Sequence, residues 1–159
     1  MNVKLVPGSR EDKTLIQHLM QLYIYDFSEY IGYDVEADGL FAAYPSLDEY
    51  WEQKDQRFSY IIEKDGKHAG FVLVKFTETT ERNYFSIAEF FVMKKYRRTG
   101  IGSSVATQVF GLHKGQWQVH QEEANKPAQM FWAKVIDKYT KGKFTQSSAD
   151  GKMIQDFEN

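Results

Sequence analysis

Residues 96–106 read YRRTGIGSSVA, two arginines, a threonine and two glycines set directly before an apolar-periodic run. In that run Ile101, Val105, Val109 and Leu112 fall on one face of a helix. Upstream, YFSIAEFFVM (84–93) has the aromatic and β-branched content of a strand. Strand, arginines, Gly-x-Gly and helix in that order suit a pyrophosphate. Glycines let the backbone approach closely, the unpaired amides at a helix start point outward, and the helix dipole favours an anion. Lys94, Lys95, Arg97 and Arg98 add full positive charges. Two familiar phosphate motifs do not fit. No lysine follows either glycine, as a P-loop requires, and Val105 occupies the third glycine position of a dinucleotide turn.

Outward from that turn, the pattern gives a mixed sheet with helices on both faces. Val3 and Leu5 open a strand, and Ser9 with Asp12 caps a helix through Phe27. Residues 28–45 form a long, aromatic-rich loop, and SLDEYWEQ from Ser46 reads as a short capped helix. A hairpin turns at Asp65-Gly66, and WQVHQ (117–121) is a further strand. Asn125 and Pro127 open a helix stopped near Gly142, and a hairpin turns at Asp150-Gly151. The 159 residues show no repeat or linker and read as one domain, 1–159.

Composition removes several chemistries. There is no cysteine, hence no disulfide, thiolate metal site or cysteine nucleophile. His18, His68, His113 and His120 lack ligand spacing, so no metal is expected. A net charge of −2 argues against nucleic acid, and no apolar run is long enough for a membrane span. A cytoplasmic location is the expectation.

The sequence resembles the GNAT superfamily of acetyl-CoA-dependent N-acetyltransferases. Its signature, [RQ]-x-x-G-x-[GA] after the fourth strand, matches Arg97-Arg98-Thr99-Gly100-Ile101-Gly102. NKPAQMFWAK (125–134) resembles the family's N-x-x-A-x-x-x-Y segment, and the stretch from EFFVM to GIGS looks most like polyamine acetyltransferases. The resemblance implies a GNAT-like α/β (α+β) fold, a mixed, mostly antiparallel twisted sheet of about seven strands. It also implies acetyl-CoA as cosubstrate. Amides of Arg98 to Ser103 would then grip its pyrophosphate, backbone of Phe90, Phe91 and Val92 would pair with its pantetheine arm, and Asn125 would touch the same arm. Trp132 would line that site, standing where the family commonly has the tyrosine that protonates the departing thiolate. An indole N–H donates a hydrogen bond but gives up no proton, so Tyr139, seven residues further, is the substitute candidate acid.

Direct attack of an amine on the thioester needs a base, and Glu89 is the candidate. Strict alternation would put Phe85, Ile87, Glu89, Phe91 and Met93 on one face, a carboxylate among apolar neighbours. His120 is the reserve, and a backbone amide at Phe91 or Val92 would polarise the carbonyl. Between Lys13 and Lys54 there are eight acids and no lysine or arginine. Among the aromatics there, Asp26, Tyr30, Tyr33 and Asp34 are the expected contacts for a cationic amine, a small molecule or a basic peptide. A non-catalytic acyl-CoA-binding module and an interaction protein docking a basic partner are the competing readings, and a homodimer is compatible with both.

Overall fold

The computed structural model describes residues 2–159. Seven strands, β1 (Val3–Pro7), β2 (Arg57–Lys64), β3 (Lys67–Glu78), β4 (Asn83–Val92), β5 (Gln116–Glu122), β6 (Thr145–Ala149) and β7 (Lys152–Glu158), form one sheet in the order β1-β2-β3-β4-β5-β7-β6. The helices are α1 (Lys13–Phe27), α2 (Glu49–Glu52), α3 (Ile101–Leu112) and α4 (Lys126–Thr140). This is the mixed, mostly antiparallel α/β architecture that the sequence predicts. Both Asp-Gly pairs turn their hairpins with positive φ at each residue, as a primed turn requires.

α3 and α4 cover one face, where Val105, Val109, Phe110, Trp132 and Ile136 pack on Val72, Val74, Trp117 and Val119. α1 and the α2 segment cover the other, with Ile16, Met20, Leu47 and Trp51 against Ile61, Phe71, Leu73 and Phe91. The second helix is shorter than expected. Ser46 sits at φ 59 outside it, and Asp48 holds the cap position.

Two departures from regular pairing shape the centre. β4 and β5 run parallel and share the pair Phe85↔Trp117, after which the strands part toward their C-terminal ends. Within β4 the register to β3 slips, Leu73 facing Glu89 while Val74 faces Ile87. The extra residue is Ala88, a bulge that reverses the side-chain alternation. Strict alternation therefore fails here. Phe85, Ile87, Phe90 and Val92 join the α3/α4 side, whereas Phe91 and Met93 lie on the α1 side.

Candidate active site

A groove of about 580 Å³ runs along the end of β4, the turn before α3 and the start of α4. It is lined by Phe90, Phe91, Val92, Arg97, Arg98, Gly100, Gly102, Ser103, Asn125 and Trp132. The quoted turn is built largely from its own sequence. Gly100 adopts φ 87, left-handed backbone that glycine alone enters without cost, and ends the turn as the cap of α3. Thr99 Oγ1 donates to the Tyr96 carbonyl at 2.6 Å. Ser104 N–H finds the Gly100 carbonyl at 3.1 Å, which leaves the amides of Ile101, Gly102 and Ser103 as the free donors of a helix start. A Cβ at Gly102 would stand 3.1 Å from the Phe131 ring, so the missing side chain keeps the groove open.

Arg97 lines the groove and also braces it. Its Nε donates to the Val92 carbonyl at 2.6 Å, and its guanidinium pairs with Asp26 of α1. Lys94 also reaches Asp26, at 3.4 Å. Arg97 thus ties the turn to β4 and α1, while Arg98 has no carboxylate partner among the described residues. Asn125 Oδ1 accepts from Ala128 N–H at 3.1 Å and caps α4 at the groove wall. Trp132 packs edge-to-face on Phe90, with centroids 4.9 Å apart.

Where β4 and β5 part, a second opening of about 280 Å³ adjoins the first; Tyr23, Phe27, Phe90, Ala128 and Trp132 line both. Glu89 and His120 line this opening from facing strands. Burial pushes the Glu89 carboxyl above its ordinary range, while the neighbouring Tyr23 and Tyr44 hydroxyls pull the other way. Burial, with the Glu89 charge adding to it, raises both tyrosines in turn. Both hydroxyls therefore stay protonated. His120 is lowered by desolvation and by Lys152 and is neutral near pH 7.

Tyr139 does not join them. Its ring packs on Phe110 and Phe157, and its hydroxyl accepts from Asn159 Nδ2 at 2.9 Å, outside the residues lining either opening. Two helical turns separate it from Trp132, too far for the same groove. Of the acceptor candidates, Tyr30 and Asp26 line the first opening and Tyr33 the second, whereas Asp34 lies exposed and lines neither. Asp26 is already committed to two cations.

A third cavity, about 420 Å³, opens beyond Ala88 and His120, which it shares with the second. Arg57, Lys75, Tyr44, Tyr50 and Tyr84 line it. Sequence reading assigns no role to Arg57, Lys75 or Tyr84, because what gathers them is cross-strand register rather than any local spacing.

Comparison with known proteins agrees with the fold. The model of the family described as "Acetyltransferase (GNAT) family" matches residues 15–136. No curated protein matches the chain. Among solved structures, an acetyltransferase from Thermus thermophilus superposes with TM-score 0.69 at 14% identity, covering 100% of this chain and 98% of that one. The PaiA N-acetyltransferase of Thermoplasma acidophilum, solved with coenzyme A, gives TM-score 0.65 at 13% identity over 100% of both chains. A spermidine N-acetyltransferase SpeG chimera, from Vibrio cholerae and hSSAT, gives 0.63 at 12% identity, over 99% and 96%. At such identities the likeness is one of fold.

Proposed function

The chain belongs to the GNAT acetyltransferase family, and from that premise we propose that it transfers an acetyl group from acetyl-CoA to a primary amine by direct attack. The observation that carries the proposal is a pair of adjoining openings, walled in common by Tyr23, Phe27, Phe90, Ala128 and Trp132, that set the glycine turn beside Glu89 where β4 and β5 part. The residues present fit the cosubstrate: free amides at the start of α3, an Arg98 with no carboxylate partner among the described residues, and a strand edge released past Phe85.

Bound acetyl-CoA supplies the thioester, whose C–S bond breaks as the amine nitrogen bonds to the acetyl carbon. Glu89 takes the proton that the amine must lose, and its raised pKa suits it to that work near neutrality. Backbone N–H of Phe91 or Val92 polarises the acetyl carbonyl. The leaving thiolate takes its proton from water in the groove, and Glu89 later returns its own to water, which balances the transfer. With no cysteine in the chain, the route needs no acyl-cysteine.

Tyr139's distance from the groove and Trp132 at the usual tyrosine position favour a second reading, an acyl-CoA-binding module without turnover. The experiment is release of free thiol from acetyl-CoA across a panel of amines, polyamines and basic peptides. Amine-dependent release supports the transferase. Tight acetyl-CoA binding with silence across all acceptors supports the module.

A further inference from the structure

Resting on that transferase reading, we propose that the amine acceptor also carries a carboxylate, held by Lys75 in the third cavity. Arg57 and Lys75 are direct partners across β2 and β3, and Lys75 in turn faces Ser86 on β4. Like charges placed opposite each other oppose folding, so the pair calls for compensating anions. Glu49 supplies one, 3.6 Å from Arg57, whose side chain is only 14% exposed. Lys75 has no carboxylate within ion-pair distance among the described residues, although it lines the cavity. His120 is neutral near pH 7 and adds no charge. One positive charge is left over, in a recess with hydroxyls of Thr77, Tyr84 and Ser86. Arg57 donates one terminal nitrogen to the Gln56 carbonyl at 3.2 Å and turns the other to Glu49, so the Lys75 ammonium is the charge left to pair with a carboxylate.

The recess lies at the right place for an acceptor. It meets the Glu89 opening at Ala88 and His120. Glu89 faces Leu73, and Lys75 is two residues further along the same strand, a rise of about 6.6 Å. An amine at Glu89 and a carboxylate at Lys75 are therefore a few bonds apart, as in a short amino acid. A purely cationic acceptor would find Asp26 engaged by Arg97 and Lys94, and the excess charge at Lys75 repelling it.

The test uses the twenty common α-amino acids, β-alanine and 4-aminobutyrate, each beside its carboxamide, with spermidine for comparison. Thiol release measures transfer, and calorimetry on the CoA-saturated protein measures binding. The expected result is that one or more acids exceed their carboxamides at least tenfold in kcat/KM. Lys75→Gln should raise KM for that acid tenfold or more with acetyl-CoA affinity unchanged, and Lys75→Arg should restore most of it. Equal use of acids and carboxamides, preference for spermidine, or a preference that survives Lys75→Gln overturns the proposal. Should Lys75→Gln fail to fold, the acid-to-carboxamide ratio on the unaltered protein decides alone. Acids that bind without any turnover would overturn the transferase reading and leave the carboxylate site standing. Neither transfer to nor binding of any acid overturns the site itself.

Discussion

At the glycine-turn end of the groove, the hydrogen bonds from Arg97 to Val92 and from Thr99 to Tyr96 span five residues or fewer. At the other end, Arg57, Lys75, Glu89 and His120 come from four different strands, and Tyr44 from a long loop. The first end is a local structure whose geometry its own residues dictate. The second exists only when the sheet is in register, and one bulged residue, Ala88, decides what it contains. A mutation at the first end should therefore act on affinity for acetyl-CoA. One at the second should act on turnover.

The sharpest test of that division is Glu89→Gln. Loss of a general base costs about 10²–10⁴-fold in kcat, with the dissociation constant for acetyl-CoA unchanged in calorimetry. In the unaltered protein the base must be ionised, so kcat/KM rises with pH through a limb above the ordinary carboxyl value of 4.5, and the variant lacks that limb. Gly100→Val comes next. Left-handed backbone costs an ordinary residue about 1–2 kcal/mol, so acetyl-CoA should bind roughly tenfold more weakly while kcat at saturation is kept. A kcat that falls in step would show the two ends to be coupled.

Asp26→Asn probes the brace between the turn and α1. Exposed ion pairs contribute about 0.2–1 kcal/mol, so KM for acetyl-CoA should rise only a few-fold, and the difference should shrink in high salt. The smallest effect belongs to neither end. His113 shares a 2.7 Å hydrogen bond with Tyr60 inside the core, and burial lowers its pKa below 6.5. The unfolded chain then binds the proton more readily. The contribution of His113 to thermal stability is accordingly complete above pH 6.5 and is lost as pH falls below it, and a His113→Phe variant lacks that part of the decline.

The same contrast explains what was legible before the structure. Gly100, Gly102 and the arginines carry their conformational meaning in their identity and spacing, as do the Asp-Gly hairpins and the Asn125 cap. Glu89 was visible as a carboxylate in an apolar strand, but its face was not, because nothing in YFSIAEFFVM marks Ala88 as the extra residue. Arg97 was legible as a charge at the turn, whereas its partner Asp26, 71 positions away, was not. Tyr139 kept helical phase with Trp132, yet phase fixes a face and not a distance along it. Lys75 and Arg57 carry no local signal, because only pairing across strands sets them side by side.

The parting of β4 from β5 past Phe85 leaves two lips of backbone with no ladder between them. Their amides lack the protection that β3 receives on both edges, so they should trade hydrogen for solvent deuterium early, while β3 trades late. A strand-like ligand laid into the wedge would slow that trade amide by amide along the lips. Filling of the gap can thus be followed by isotope uptake alone, before any acceptor has been found and whether or not a bond is ever made.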